Sequence, residues 1–282
     1  MVVSAVRLNI MKTIIFGNGY LGKRLEGYLG AELMAGRINS EEDVASQIDQ
    51  RPDLIINAVA KTGRPNVDWC EDHKEETYFA NVGVPKMLAA YADREGIRMV
   101  HFSSGCIYEG DKGGSGFTED DAPNFEGSYY SHTKAEAERA LAKYNNILTL
   151  RPRMPISEIP SDRNLINKLL GYKSIIETPN SVTVIEDLLP VLKGLIEGGH
   201  TGVFNVVNPE PVTHKEILDL YEQYSGKSLG KKYISAKDLV VKAPRSNTVL
   251  SMNKLASLGL GLPSTKESLE RIMRRYVELE RS

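Results

Sequence analysis

The apolar run Thr13–Phe16 leads directly into Gly17-Asn18-Gly19-Tyr20-Leu21-Gly22, and this stretch decides the fold. The six residues read G-x-G-x-x-G, and leucines recur every fourth position in Tyr20–Leu29, a spacing typical of a helix. Between a strand and a helix, the first glycine permits a tight turn, the second lets the backbone approach a pyrophosphate, and the third lets helix and strand pack closely. Free N–H groups at the helix N-terminus attract phosphates. We therefore predict that these six residues bind a dinucleotide, with a ligand-free glycine turn as the alternative.

The rest of the first half alternates short apolar runs with amphipathic segments. Strands are predicted at Leu54–Val59, Arg98–Phe102 and Ile147–Leu150, and helices at Glu41–Gln50, Thr77–Arg94 and Tyr129–Tyr144. Strands that alternate with helices through short links form a parallel sheet covered on both faces. The sequence therefore predicts an α/β fold, a doubly wound parallel sheet of the Rossmann type, with ligands beyond the carboxyl ends of the strands.

The pattern changes after Arg151, where prolines interrupt it. We expect residues 1–152 to form the dinucleotide-binding Rossmann domain, and residues 153–282 to form mainly a smaller C-terminal substrate-binding domain. An apolar run at 202–207 is predicted to be a late strand that rejoins the sheet.

Composition excludes several classes of protein. Lysine and arginine number 35 and aspartate and glutamate 37, so the net charge of −2 gives no basic excess for a nucleic-acid surface. No run of about 18 apolar residues suggests a membrane span, and residues 1–10 lack the long apolar centre of a signal peptide. Cys70 and Cys106 are too few for a disulfide framework or a four-cysteine zinc site. We expect a cytoplasmic protein with no metal and no nucleic-acid or membrane partner.

The choice of dinucleotide depends on the residue about 20 positions after the first glycine. An acidic residue there would hydrogen-bond the free 2′-hydroxyl of NAD(H). The count from Gly17 reaches Gly36-Arg37 instead, and an arginine can pair with a 2′-phosphate. The sequence therefore favours NADP(H) over NAD(H), with an ordinary solvated arginine as the alternative for Arg37.

Tyr130 and Lys134 are four residues apart and share one face of the predicted helix Tyr129–Tyr144. A phenol ordinarily has a pKa of about 10, and a nearby ammonium would favour the phenolate and bring that pKa toward neutrality. Such a tyrosine can protonate a carbonyl oxygen while a hydride reaches the carbon. A surface pair is the alternative, because this spacing is common by chance.

The order of these motifs resembles that of the extended short-chain dehydrogenases/reductases. A glycine turn opens the chain, Ser103-Ser104 follows a strand, and the Tyr130/Lys134 pair comes next. The resemblance implies that Ser104 orients a substrate carbonyl, that Tyr130 is the acid/base, and that Lys134 holds the nicotinamide ribose.

The same resemblance implies further residues around the cofactor. Asn57-Ala58-Val59-Ala60 is similar to a family segment beside the cofactor, which adds Asn57, Ala58 and Ala60 to the predicted site. Asn81 matches a helix asparagine that supports the active site in that family.

Four segments also resemble signatures of the nucleotide-rhamnose synthases that act as epimerase-reductases. They are Thr62–Glu71, Gly105–Glu109, Arg151–Ile156 and Ala243–Asn247. The dTDP-4-dehydrorhamnose reductases are similar in outline but less so in these segments. The resemblance implies epimerisation at C3 and C5 of a nucleotide-linked 4-keto-6-deoxyglucose, then NADPH-dependent reduction at C4 to nucleotide-L-rhamnose. The C4 ketone acidifies the hydrogens on C3 and C5, so the reaction needs a base, an acid and hydrogen bonds to an enolate oxygen.

Two residues match the proton carriers of such enzymes. Cys106 stands two residues after Ser104, where related enzymes carry their epimerase cysteine, and Lys168 aligns with a catalytic lysine of the rhamnose enzymes. A buried apolar cysteine and a solvated lysine are the alternatives.

The sugar nucleotide is expected to be UDP- or dTDP-linked. The planar fork of arginine suits a diphosphate, and the segment Ala243–Asn247 matches one that contacts substrate in the family. The candidates for substrate binding are Arg64, Asn66, Arg153, Asn164 and Arg245. The glycine-rich loop 109–121 is shorter than in plant members, so we expect it to alter substrate preference and to act as a flap.

Two other functions stay open at this stage. One is a 4-ketoreductase without epimerase activity, and the other is a non-catalytic NADP-binding regulatory subunit, which the presence of Ser104, Tyr130 and Lys134 argues against. The resemblance also suggests a homodimer formed through two helices of each subunit.

Overall fold

The computed structural model describes residues 11–48 and 50–281. Residues 1–10, for which we expected no signal peptide, lie outside the described residues, as do Asp49 and Ser282. The strands are β1 (Thr13–Phe16), β2 (Glu32–Met34), β3 (Leu54–Asn57), β4 (Arg98–Phe102), β5 (Ile147–Arg151), β6 (Pro155–Ile156), β7 (Ser174–Ile176), β8 (Thr183–Val184), β9 (Gly202–Asn205) and β10 (Lys232–Ile234). The helices are α1 (Tyr20–Leu29), α2 (Glu41–Ser46), α3 (Asp68–Asp72), α4 (Lys74–Tyr78), α5 (Val84–Arg94), α6 (Tyr129–Leu141), α7 (Leu165–Gly171), α8 (Ile185–Glu197), α9 (His214–Ser225), α10 (Asn253–Ser257) and α11 (Thr265–Arg281).

Six strands form a central sheet in the order β2-β1-β3-β4-β5-β9. All five neighbouring pairs are parallel, with Phe16 opposite Asn57 and Asn57 opposite His101 in the register. The predicted doubly wound parallel sheet is confirmed, and the carboxyl ends of β1, β3 and β4 meet at one edge. The short strand β2 was not predicted, because its three residues carry little apolar pattern.

Each face of the sheet is covered by helices. Ile14, Ile55 and Met99 pack with Leu88 of α5 in one cluster. The alternate residues, among them Ile15, Ile56 and Val100, pack with leucines of α1 and α8 in another. Successive strand residues point to opposite faces, so burial on both faces explains the continuous apolar runs in the sequence.

The helical stretch between β3 and β4 changes type along its length. After α4 it passes through a π-helical turn at Phe79–Gly83 into α5, which begins at Val84. Pro85 lies in the first turn of α5, where a residue without an N–H is tolerated.

The second half of the chain contributes to two layers. Strand β9 pairs with β5, and α8 packs on the sheet through Leu188 and Leu192. Helices α7, α9 and α11 instead form a separate apolar cluster with Val184 and its neighbours. The predicted division of the chain at residue 152 does not separate the two layers, because α8 follows it and covers the sheet.

Within residues 11–48 and 50–281, no helix combines the length and the hydropathy that crossing a membrane requires. The same residues contain no group of three or more His, Cys, Asp or Glu side chains placed to hold a metal ion.

Replacing Gly22 by alanine should destabilise the fold, because the added methyl group would collide with the carbonyl oxygen of Gly17. We expect Gly22→Ala to lower the free energy of unfolding by about 1–3 kcal/mol. Gly27 lies in the same helix with open space at its Cβ position, so Gly27→Ala should instead stabilise by roughly 0.5–1 kcal/mol. Urea unfolding of both variants measures this, and equal stability of the two would contradict the close packing.

Candidate active site

The glycine turn after β1 has the shape that a phosphate requires. Gly17 has φ of +115°, and a side chain there would meet the backbone of Ala58, whose N–H donates to the Phe16 carbonyl at 2.8 Å. A Cβ at Gly19 would meet nothing within 4 Å, and no side chain caps the first turn of α1. The N–H groups of that turn therefore face open space, where an anion can cap them.

The residues at the neighbouring strand ends divide into two groups. Arg37 and Ala60 are exposed beyond β2 and β3. Asn57 is fully buried: its Nδ2 lies 3.0 Å from His101 Nδ1, and its Oδ1 accepts from the Val59 N–H at 3.0 Å. We expected Asn57 beside the cofactor, but its amide is used inside the protein to hold the turn after β3.

Three predicted catalytic side chains converge at the end of β4. Ser104 Oγ accepts from the Cys106 N–H at 3.2 Å at the start of a 3₁₀ turn, Gly105–Ile107. The Tyr130 side chain, on the first turn of α6, lies near Ser104 and Cys106, both of which influence its pKa. Burial raises the pKa of Tyr130, Cys106 raises it further, and Ser104 opposes both. The phenol, the hydroxyl and the thiol are therefore neighbours.

Lys134 lies beneath this cluster. It is fully buried, and its Nζ donates to the Phe102 carbonyl at 2.7 Å. Burial lowers the pKa of Lys134 to about 8, while Glu138 and Cys106 favour its charged form. The expectation that Lys134 brings the Tyr130 pKa toward neutrality is wrong for this structure, because burial dominates the pKa of both groups.

A buried ion pair next to Lys134 was missed by the sequence analysis. Glu138 accepts from Arg151 Nε at 2.9 Å and from Nη2 at 2.6 Å, and it also accepts from Ser103 Oγ. The guanidinium of Arg151 stacks over the Tyr108 ring at 5.3 Å. This pair fixes the strand end from which Ser104 emerges.

Asn81 ties three segments together, in agreement with a supporting role. Its Oδ1 accepts from the Lys61 N–H at 2.7 Å, and its Nδ2 donates to the Lys61 carbonyl at 3.1 Å and to Thr133 Oγ1 at 3.0 Å. The π-helical turn is thereby attached to α6 next to Lys134.

Lys168 lies on α7 and is half-buried rather than solvated. Burial lowers the pKa of Lys168, the neighbouring Arg163 lowers it further, and Cys106 opposes both. Lys168 and Cys106 therefore share one electrostatic environment, as their predicted joint role requires.

Three of the five predicted substrate ligands have structural partners instead. Asn164 is fully buried and caps α7, with Oδ1 accepting from the Ile166 N–H at 3.2 Å and Nδ2 donating to the Ser157 carbonyl at 2.7 Å. Arg245 forms a two-pronged ion pair with Asp68 at 2.8 and 3.0 Å. The Asn164 amide is therefore used within the protein, and the Arg245 guanidinium is held by Asp68.

Arg153 is the third of these residues, and only 3% of its surface is exposed. Its Nη1 donates to Cys106 Sγ at 2.7 Å, and its Nη2 donates to Asn180 Oδ1 at 2.8 Å and to the Ser246 carbonyl. It therefore lies behind the thiol and not at the surface of the crevice.

The remaining candidates, Arg64 and Asn66, lie near two residues that sequence analysis missed, Arg163 and Tyr172. Arg64 is exposed, and Arg163 lies close enough for the charge of Arg64 to lower its pKa, after burial. Arg163 Nη1 donates to the Gly63 carbonyl at 2.6 Å. Asn66 lies near Tyr172, whose pKa is raised by burial. No local pattern in the sequence singled out Arg163.

Comparison with known proteins gives a consistent result. Residues 11–278 match the family model described as the RmlD substrate binding domain. A bifunctional dTDP-4-dehydrorhamnose 3,5-epimerase/dTDP-4-dehydrorhamnose reductase of Arabidopsis thaliana is 40% identical over 261 residues, which cover 89% of this chain and 87% of that protein.

Two solved structures resemble this one. The crystal structure of a UDP-rhamnose synthase from Acanthamoeba polyphaga mimivirus is 32% identical, with a TM-score of 0.88 over 94% of this chain and 99% of that one. A dTDP-4-dehydrorhamnose reductase from Bacillus anthracis in complex with NADP is 22% identical, with a TM-score of 0.84 over 93% of this chain and 98% of that one. The second likeness concerns the fold alone.

Replacing Lys134 by methionine should change how stability depends on pH. Because burial lowers the Lys134 pKa from 10.5 to about 8, the wild type loses stability as pH falls from 10.5 to 8, and the full loss persists below 8. We expect Lys134→Met to be more stable at pH 7 by up to about 3 kcal/mol, with the gap closing as pH rises toward 10.5.

Urea unfolding at pH 7, 8.5 and 10 measures this gap. Lys143→Met is the control, because Lys143 is exposed just beyond α6, and the stability of this variant should equal that of the wild type at each pH. A gap at Lys134 that does not change with pH would contradict the buried ammonium.

Proposed function

The chain belongs to the RmlD substrate binding domain family, and on that premise we propose that it is an NADPH-dependent 3,5-epimerase/4-reductase. Its substrate would be a UDP- or dTDP-linked 4-keto-6-deoxyglucose, and its product nucleotide-L-rhamnose. One observation carries the proposal: the Tyr130 phenol, the Ser104 hydroxyl and the Cys106 thiol are neighbours at the end of β4. The Arabidopsis relative, which is named as both an epimerase and a reductase, supports both halves of the activity, and the mimivirus UDP-rhamnose synthase supports the product.

The glycine turn is suited to hold NADP(H). The uncapped first turn of α1 and the open space at Gly19 leave room for the pyrophosphate, and Arg37 is exposed at the same sheet edge for a 2′-phosphate. Lys134 would hold the nicotinamide ribose. When bound, NADPH supplies the hydride that reaches C4.

Tyr130 would donate the proton in the reduction. Burial raises the pKa of Tyr130, so at neutral pH it carries the proton that the C4 oxygen needs. Ser104 lies beside Tyr130 and would hold the ketone oxygen against it. The same two hydroxyls can stabilise the enolate oxygen during epimerisation.

Cys106 and Lys168 would exchange the protons on C3 and C5. Epimerisation needs a base on one face of the sugar and an acid on the other. Cys106 borders Tyr130, and Lys168 on α7 borders Cys106 electrostatically. Lys168 comes from the region 153–282, which supports that region as the one that holds the substrate.

The exposed Arg64 and the neighbouring Arg163 would receive the diphosphate of the substrate. The two free thiols fit the reducing cytoplasm that we expected for the protein.

The direct test incubates the protein with NADPH and UDP- or dTDP-4-keto-6-deoxyglucose in deuterated water. A rhamnose product with deuterium at both C3 and C5 supports the complete proposal. NADPH consumption without that label leaves the reductase alone, and binding of NADPH without turnover of either sugar would favour a regulatory subunit.

Removing the Tyr130 hydroxyl should abolish most of the reduction. We expect Tyr130→Phe to lower the rate of hydride transfer by about 10²–10⁴-fold, because it loses the proton donor. Tyr129→Phe, at the next position of the same helix, is the matched control and should retain activity. NADPH oxidation followed by absorbance measures both, and undiminished turnover by Tyr130→Phe would rule out its role as the acid.

Replacing the Cys106 thiol should separate the two reactions. We expect Cys106→Ser to lose deuterium incorporation at C3 and C5 but to keep reducing a 4-keto sugar that already has the rhamno configuration. Cys70→Ala removes the other, buried cysteine and should keep both activities. A Cys106→Ser protein that still makes labelled rhamnose from the unepimerised ketone would remove Cys106 from the mechanism.

A further inference from the structure

Two arginines leave β5 two residues apart, and their charges are met differently. Arg151 forms a buried ion pair with Glu138 at 2.6 Å. Arg153 is equally buried, but its guanidinium donates to a carboxamide oxygen, a backbone carbonyl and the Cys106 sulfur. Among residues 11–48 and 50–281, Arg153 forms no ion pair with an aspartate or glutamate, and its buried Nε has no hydrogen-bond partner.

A guanidinium stays charged at every pH that a protein tolerates. A buried charge without a counter-charge is strongly unfavourable, because neutral acceptors replace only part of its hydration. Of the three acceptors of Arg153, only Cys106 can become an anion by losing a proton. Its Sγ lies 2.7 Å from Arg153 Nη1.

Other titratable groups also face the contact between Arg153 Nη1 and Cys106 Sγ. Tyr130 and Lys134 approach from α6 and Lys168 approaches from α7. Burial raises the pKa of Tyr130 and lowers those of both lysines, while the charge of Cys106 acts to raise all three. His214 of α9 faces Arg153 from the other side, and burial, assisted by Arg153, lowers its pKa to about 4, so it is neutral. None of these groups is a carboxylate that could neutralise Arg153.

We propose that Arg153 is the counter-ion of Cys106 and holds the sulfur as a thiolate, which makes Arg153 a positioning residue for proton transfer. This inference deepens the proposed epimerase step and rests on it for its role in the reaction. It replaces the expectation that Arg153 binds the diphosphate.

The thiolate then has a defined task in epimerisation. Its sulfur forms an S–H bond with the proton on the carbon beside the C4 ketone, and the electron pair of the broken C–H bond moves onto the ketone oxygen as an enolate. The Lys168 ammonium returns a proton to the opposite face of that carbon. The Cys106 thiol and the neutral Lys168 amine then restore their starting states by exchanging one proton through solvent.

The alkylation rate of Cys106 in the wild type tests the thiolate without any substrate. Cys106 is partly exposed and Cys70 is buried, so iodoacetamide followed by peptide mass spectrometry reports on Cys106. We expect the rate to change little between pH 6 and 8. An ordinary thiol would gain about tenfold per pH unit over this range, and that result would overturn the inference.

Variants then assign the effect to Arg153. Arg153→Met should slow alkylation at pH 7 by about tenfold or more, whereas Arg153→Lys should stay within about threefold of wild type because it keeps the charge. Arg98→Met is the control, because Arg98 begins β4 at the opposite edge of the sheet and donates to the Ile196 carbonyl at 2.9 Å. Wild-type alkylation in a folded Arg153→Met protein would contradict the proposal.

Deuterium incorporation separates this inference from the proposed function. If Arg153 is the counter-ion, Arg153→Met should lose label at C3 and C5 while still reducing the epimerised ketone, and Arg153→Lys should restore the label. If the wild type shows a pH-independent thiol but never labels the sugar, the counter-ion stands and the epimerase proposal fails. If Arg153→Met does not fold, the wild-type pH profile decides alone.

Discussion

Burial of the Lys134 ammonium between α6 and the sheet is the constraint on which the rest of the site depends. A buried ammonium is strongly unfavourable without hydrogen bonds and nearby negative charge. The strands β3 and β4 change from apolar to polar along their length. Ile55 and Met99 are apolar under α5 and α6, whereas Asn57 and His101, further along the same strands, are polar. The polar carboxyl halves of β3 and β4 therefore lie where the ammonium lies, and the apolar halves form the core.

The same constraint fixes the groups around Lys134. Burial and the charge of Lys134 keep the pKa of His101 well below its ordinary value, so His101 stays neutral and pairs with Asn57. Glu138, one helical turn after Lys134, supplies negative charge and binds both Ser103 and Arg151. Because Ser103 is held from beneath, the following residues of the β4 turn start from a fixed position. Reacting groups held in this way need little reorganisation when a ketone arrives.

How much of the fold and of the site could be predicted from the sequence depends on the distance along the chain between interacting groups. The glycine turn and the pair Tyr130 and Lys134 are local patterns, and the sheet that holds them followed from strand and helix periodicity. The ion pair of Arg245 with Asp68 spans 177 positions, and the Arg153 contact with Cys106 spans 47. No local spacing records which carboxylate or thiol will meet a given arginine, so arginines that look alike in sequence were all assigned to the substrate.

The structure separates these arginines by what neutralises them. Arg245 is neutralised by Asp68, and we infer that Arg153 is neutralised by Cys106, so neither is an unpaired cation. Arg163 differs, because burial and then the charge of the nearby Arg64 lower its pKa. An anion placed between two such cations lowers the energy of both. Under the proposed function, the diphosphate therefore binds near Arg64 and Arg163, while the ketone binds among side chains whose positions the protein has already fixed.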